Sequence, residues 1–201
     1  MLKKTILISG VVALLTVTAS ARGHHGEDGY GFSNGFGKNE YQRVTQTAQQ
    51  TSQQLMELTK EQQDSILFMI EEEKLARDVY SYLYELWGDK IFKNISRSEQ
   101  KHIDAIDGLL EKYGLESPAT LDNRGEFQNQ ELQELYNNLI EKGKNSLIDA
   151  LEVGVTIEEK DIADLEEKLD SNLPKDFAKR YQNLLNASYN HLKAFNRQLG
   201  R

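Results

Sequence analysis

The chain has 201 residues, of which 38% are hydrophobic and 28% are charged, with a formal net charge of −8. Together with only 2 prolines, this balance indicates a mostly helical protein of one or two domains. An acidic chain without a basic stripe argues against nucleic acid as a partner. The absence of cysteine excludes disulfides, thiolate catalysis, zinc ribbons and iron–sulfur clusters. A metal site here must therefore use carboxylates, imidazoles and water.

Residues 1–21 have the pattern of a secretory signal peptide. Lys3 and Lys4 precede an apolar run over residues 5–18, which is short for a membrane span, and residues 19–21 (ASA) form a small-residue cleavage site. We therefore expect an exported protein, periplasmic or extracellular, that has no membrane association after cleavage. An uncleaved N-terminal anchor is the alternative.

A leader without an apolar period follows over residues 22–57. Residues 22–39 are Gly-rich and polar, and the remainder is rich in Gln and Thr, so we predict a flexible segment ahead of a folded domain at 58–200. His24 and His25 are candidates for loose metal capture, with two exposed tail histidines as the alternative.

Two long helices are predicted in the first half of the domain. The first begins at the capping box of residues 59–62 and ends before Gly88. The second covers residues 96–113 and ends before Gly114. Glu71 and Glu72 are predicted to point away from the core face of the first helix.

The second half of the domain begins with a long connection over residues 115–145. It contains a short predicted helix at 130–142, ended by Gly143, and its length favours a crossing of the bundle. Long helices are then predicted over 146–169 and from Pro174 to about residue 199. No segment alternates with a period of two, so no sheet is predicted.

Each of the four long helices carries ionisable or polar side chains on its apolar face. A buried carboxylate is costly unless it is paired or bound to metal. Bundle cores build metal sites from a Glu on each of two helices and a Glu-x-x-His on each of the other two. The candidate ligands, for iron or manganese, are Glu73, Glu99, His102, Glu158, Asp161 and His191.

Four segments of the chain resemble, in order, the DUF2202 domain family. They read EEEKLARDVYSYLYELW, NISRSEQKHIDAIDGLLEKYGL, GVTIEEKDIADLEEKL and NASYNHLKAF, and the resemblance covers about residues 58–199. The family is of unknown function and is assigned to the ferritin-like superfamily, which includes rubrerythrin. The resemblance implies an all-α, ferritin-like four-helix bundle with a long connection between helices 2 and 3. It implies no activity, because fold does not fix function.

The same resemblance assigns ligand positions residue by residue. It places family ligands at Glu73, Glu99, His102 and Glu158. The second Glu-x-x-His is incomplete, because Ser188 stands where the glutamate precedes His191. Three interpretations stay open: Asp161 supplies the missing oxygen of a dinuclear site, the site holds one metal, or it holds none.

Other interpretations of these residues need no metal. Glu99 follows Ser96 at capping-box spacing and is then a helix cap. Glu73 pairs with Arg77 at the i, i+4 spacing. The two core histidines donate to carbonyl groups, and the tyrosines on the helix faces are core residues. These assignments together describe a satisfied polar network.

Two functions follow from these alternatives. One is an exported ferritin-like metal protein that reacts with dioxygen or peroxide, or oxidises iron for handling, with a metal carrier without turnover as an intermediate case. The other is a non-catalytic, metal-free bundle that acts as an interaction protein of the cell envelope. A homodimer is plausible in either case, because ferritin-like helices often pair across subunits. No motif of a hydrolase or a phosphate-binding loop is present.

Overall fold

A computed structural model describes residues 58–201 of the protein, and these residues form five α-helices and no strand. They are α1 (Lys60–Trp87), α2 (Lys90–Lys112), α3 (Gln130–Gly143), α4 (Leu147–Leu169) and α5 (Lys175–Gln198). The all-α prediction is confirmed for this part of the chain. The predicted signal peptide and leader, at 1–57, lie outside the described residues. None of the five helices is long and apolar enough to cross a membrane.

Helix α1 begins and ends where the sequence predicts. The Thr59 hydroxyl accepts from the Gln62 N–H at 3.2 Å, and the Gln62 side chain accepts from the Thr59 N–H at 2.9 Å. Gly88, at φ 70°, ends the helix in the left-handed conformation that favours glycine. One prediction about its faces is wrong, because Glu71 and Glu72 are both buried.

Helix α2 begins earlier than predicted. Asp89 caps it by accepting from the Ile91 N–H at 3.0 Å. The prediction of a start at Ser96 is wrong, since the Ser96 hydroxyl donates to the Lys93 carbonyl within the helix. Glu99 therefore lies more than two turns from the helix start, where it cannot act as the predicted cap.

The long connection between α2 and α3 is held by side chains of α1. The Glu71 carboxylate accepts from the backbone N–H groups of Gln128 at 2.7 Å and Asn129 at 3.0 Å, just before α3. Lys74 is fully buried and donates to Asp78 at 2.6 Å and to a carbonyl of the connection at 2.8 Å. Buried charges of α1 are thus satisfied by this loop, which explains why Glu71 is not exposed.

The second pair of long helices matches its predicted span to within one residue. Ser146 caps α4, accepting from the Asp149 N–H. Pro174 occupies the cap position of α5 rather than its first turn. Helix α1 packs along α2 and α4 packs along α5; α2 also contacts α5, and α1 contacts α4. The short helix α3 lies against α1 and α4.

Two apolar clusters form the core. A polar layer, which consists of the six candidate ligands and Ser188, separates these clusters along the helices. One cluster contains Val79, Phe92, Val153 and Phe195, among others. The other contains Ile70, Ile103, Ile162 and Leu185, among others. On each long helix the polar core residues fall between the members of these clusters. The fold therefore brings the polar core residues of the four long helices to the same height along the bundle.

Candidate metal centre

The polar layer contains all six residues that the sequence singles out as candidate ligands. Helix α1 supplies one of them, α2 and α4 supply two each, and α5 supplies the last. In this order they are Glu73, Glu99, His102, Glu158, Asp161 and His191. Glu73, Glu99 and Glu158 are buried, and Asp161 is half-buried with its Oδ1 atom shielded from solvent. The side chains of His102 and His191 are 12% and 13% exposed.

One group of ligand atoms joins α1 to α2. His102 Nδ1 lies 2.7 Å from Glu99 Oε2 and 3.0 Å from Glu73 Oε2. All three residues offer ligand atoms within 4.8 Å of one another. The predicted pairing of Glu73 with Arg77 is wrong, because Arg77 points away and bonds Asp78.

A second group joins α2 to α4 and α5. His191 Nδ1 lies 2.9 Å from Glu99 Oε1 and 3.5 Å from Glu158 Oε2. These three residues also offer ligand atoms within 4.8 Å of one another. Glu99 therefore belongs to both groups and presents one carboxylate oxygen to each.

Several atoms of the layer have no hydrogen-bond partner although they are fully buried. They are Glu73 Oε1, Glu99 Oε1, Asp161 Oδ1 and His191 Nδ1. Glu99 Oε1 and His191 Nδ1 lie close together, but their contact lacks the geometry of a hydrogen bond. Metal–ligand bonds of about 2.1 Å place adjacent ligand atoms about 3 Å apart, so this spacing suits two ligands of one ion. Buried polar atoms without partners are rare and favour a site that takes a ligand.

Asp161 stands apart from both groups. The Ser188 hydroxyl donates to Asp161 Oδ2, which leaves Oδ1 free. Ser188 thus orients a carboxylate of the neighbouring helix. The interpretation in which Asp161 supplies the missing oxygen is compatible with this arrangement.

Tyr80 is a member of the site that the sequence analysis assigned to the core. Its ring is fully buried, and its hydroxyl donates to Glu158 Oε1 at 2.7 Å. Such outer hydrogen bonds orient ligating carboxylates. Tyr80 lies seven residues from Glu73 and therefore on the same face of α1, which is the signal in the sequence that could have pointed to it.

Both imidazoles are held in the charged form by their neighbours. Burial alone would lower the pKa of His102, but the contacts with Glu73 and Glu99 raise it to about 11. Burial likewise opposes the charge on His191, and the contacts with Glu158 and Glu99 raise its pKa to about 10. Both side chains are therefore imidazolium cations at neutral pH when no metal is bound.

The carboxylates divide into two kinds. Burial would raise the pKa of Glu99, but the two imidazoles outweigh it and lower the pKa to about 2. Burial raises the pKa of Glu158 to about 8 and that of Asp161 to about 6. Burial and the nearby charge of Asp161 raise the pKa of Glu73 well above its ordinary range. The central carboxylate is therefore ionised, and the outer ones hold protons more readily.

A small cavity borders the carboxylate side of the layer. Its volume is about 30 Å³, and since one water needs about 10–15 Å³, it has room for about two water-sized molecules. Leucines of α3 cover it, and its polar wall is formed by Glu72, Glu73, Glu99, Glu158, Lys160 and Asp161. The two histidines lie outside this lining.

A family model described as an uncharacterised protein domain, DUF2202, matches residues 62–201. The chain belongs to the DUF2202 family. The resemblance to the DUF2202 family stated from the sequence is thereby confirmed, and the match contains the whole polar layer.

Two comparisons concern one similar protein. The uncharacterised protein MJ0754 of Methanocaldococcus jannaschii is 49% identical over 142 residues, which span 71% of this chain and 77% of that protein. A crystal structure of the hypothetical protein MJ0754 from Methanococcus jannaschii is similar with a TM-score of 0.70 and 48% identity. That alignment covers 72% of this chain and 82% of the other. The likeness supports the fold and carries no function.

Proposed function

We propose that this DUF2202 protein is an exported, ferritin-like metal protein with a dinuclear site for iron or manganese. The observation that carries the proposal is the position of Glu99, whose two oxygens face two separate carboxylate–histidine groups. A carboxylate that two sites share is the natural bridge between two cations, because each oxygen can bind one of them.

The helix arrangement supports a ferritin-like four-helix bundle. Helices α1, α2, α4 and α5 form two packed pairs that contact each other, and α3 lies within the connection between the pairs. Ligands come from facing helices at one level, as in carboxylate-bridged bundles. The order matches on three helices, with a Glu on α1, a Glu-x-x-His on α2 and a Glu on α4, and it departs on α5, where Ser-x-x-His replaces Glu-x-x-His.

The donor set suits iron or manganese. It consists of carboxylate oxygens and imidazole nitrogens and has no sulfur, which disfavours copper(I). The buried atoms without partners include one oxygen each of Glu73, Glu99 and Asp161, so these three carboxylates can each accept a cation without losing an existing hydrogen bond. Four carboxylates against two imidazoles also leave an excess of negative acceptors that cations would neutralise.

A bound redox-active metal would supply electron transfer to or from dioxygen or peroxide, or the oxidation of iron itself. The residues of this chain hold and orient the ions. Tyr80 fixes Glu158, Ser188 fixes Asp161, and the cavity under α3 admits molecules of about the size of water. The raised pKa of the outer carboxyl groups lets them exchange protons near neutral pH.

A metal-free envelope protein is the second candidate, and one observation favours it. The imidazolium groups of His102 and His191 already neutralise Glu99, and the raised pKa of Glu73 and Glu158 lets these carboxyls stay protonated. Such a layer would set the register of the helices without a metal. It predicts a folded protein that ignores added cations.

The deciding experiment is metal content after anaerobic loading of the purified protein with iron(II) or manganese(II), followed by desalting. We expect about two ions per chain, as a shared carboxylate implies. Glu99→Gln should lose both ions, whereas Glu158→Gln should keep one at the Glu73 group. Glu159→Gln is the matched control, because Glu159 is exposed on the same helix. A wild-type protein that retains no ion, with unchanged stability, would support the metal-free candidate.

A further inference from the structure

Glu72 is a buried carboxylate that the candidate metal centre does not use. Its side chain is 6% exposed and lines the same cavity as four carboxylates of the polar layer. Glu72 Oε1 accepts from the Lys160 ammonium, while Oε2 is buried and has no partner. A carboxylate oxygen left in this state at a cavity wall is a ready acceptor for a cation.

Lys160 sits between two carboxylates of different helices. Its ammonium donates to Glu72 of α1 and to Asp164 of α4. The two carboxylates thus already form a cation site, which the chain's own ammonium occupies. The lysine side chain is 38% exposed, and its flexible stem allows the ammonium to move into solvent.

Exposure falls in steps from this site to the metal centre. The side chain of Asp164 is 24% exposed, that of Glu72 is 6% exposed and that of Glu73 is 2% exposed. Asp161, one turn before Asp164 on α4, is half-buried, also lines the cavity and has one buried oxygen without a partner. Carboxylate oxygens therefore follow one another from the surface to the buried layer.

We propose that Glu72 and Asp164 form an uptake site at which divalent cations displace the Lys160 ammonium before they reach the buried centre. A divalent cation carries twice the charge of the ammonium and can bind both carboxylates at once, so exchange is favourable. The unpartnered oxygen of Glu72 then hands the ion to the carboxylates on the cavity wall. This inference rests on the proposed metal centre and adds the route by which it fills.

The other exposed side of the layer offers a competing route. His102 and His191 are partly exposed and are not among the residues that line the cavity. Cations that enter past the histidines would not meet Glu72 or Asp164. The two routes therefore predict different effects of the same substitutions on the rate of loading.

The test is the rate of cobalt(II) uptake by the whole protein, followed by stopped-flow absorption of the bound ion. Glu72→Gln and Asp164→Asn should slow uptake roughly tenfold, about 1.4 kcal/mol in the barrier, with unchanged final stoichiometry. Lys160→Met should accelerate uptake, because no ammonium competes for the carboxylates. Glu159→Gln removes one charge from the exposed face of α4 and should load like the wild type.

Two outcomes would overturn the inference, and they are distinct. If the wild type binds cobalt and all four variants load at its rate, the uptake site is wrong while the metal centre stands. If the wild type binds no cobalt, the metal centre fails and the uptake site fails with it. Because Asp164 is partly exposed, Asp164→Asn gives a result even where Glu72→Gln does not fold.

Discussion

At the scale of single residues, the chemistry of the layer depends on which groups hold protons. Glu99 is ionised between two imidazolium groups, and the outer carboxyl groups are held closer to neutrality by burial. A metal ion can bind an imidazole nitrogen only after the proton has left it. Cation binding and proton release are therefore linked in this site.

This linkage predicts that metal affinity rises with pH. The pKa values of about 11 for His102 and about 10 for His191 lie above neutrality, so each imidazole must release a proton when it becomes a ligand. Affinity should rise about tenfold per pH unit for each proton released, which is roughly a hundredfold for the two imidazoles. The slope should be steeper below pH 8, where Glu158, with a pKa of about 8, also holds a proton that a cation displaces. Manganese(II) titrations between pH 6.5 and 8.5 measure the slope, and a pH indicator in weak buffer counts the protons.

The His102→Ala variant separates the contributions of His102 and His191 to proton release. It should lose one ion and release about one proton fewer, because only the His191 group remains. An affinity that is independent of pH over this range would contradict the assignment of both histidines as ligands.

At the scale of elements, Gly154 of α4 packs directly against the ring of Phe195 of α5. A Cβ atom at this position would overlap the ring of Phe195. That ring is fully buried, with its centroid 5.4 Å from the Tyr80 ring and 5.9 Å from the Phe92 ring. This contact between Gly154 and Phe195 therefore sets the distance between α4 and α5, which both supply candidate ligands.

Gly154→Ala should destabilise the protein although alanine favours helices. Overpacking in a filled core costs about 1–3 kcal/mol, which outweighs the helix propensity gain of about 1 kcal/mol. Urea unfolding followed by circular dichroism measures the free energy of unfolding.

Gly108→Ala is the matched control, since Gly108 lies in α2 and a Cβ atom at this position would meet open space. It should stabilise the protein by about 0.5–1 kcal/mol. Equal effects of the two substitutions would show that Phe195 moves aside without cost and that α4 and α5 are not closely packed at Gly154.

At the scale of the whole molecule, the polar layer divides the core into two apolar clusters. Its buried carboxylates repel one another and lie away from water, which limits the stability of the metal-free fold. Cations that bind the folded state alone stabilise it by mass action.

We therefore expect loading to raise the thermal stability. Each site contributes about 2.7 kcal/mol when the free cation is at 100 times Kd, which corresponds to a rise in Tm of roughly 5–10 °C for a chain of this size. Thermal unfolding with manganese(II) and with a chelator gives the comparison. Glu99→Gln should show no such rise, and a wild type whose Tm ignores the metal would contradict the proposed centre.

The sequence by itself determined the helices and the polar positions on them. Capping at Thr59, the stop at Gly88 and the apolar periodicity are local features, so they act before any tertiary contact forms. The spacing of Glu99 and His102 likewise placed both on one helix face. For the same reason the start of α2 was missed, because Asp89 and Ser96 are both good caps and local pattern alone does not choose between them.

Only the tertiary structure decided which groups meet. That Glu99 is shared by two histidines depends on how α2 packs against both α1 and α5. The burial of Glu71 and Glu72 depends on a loop and a lysine far along the chain. These contacts arise from residues that are distant in sequence, and the helical period of one segment contains no information about its neighbours.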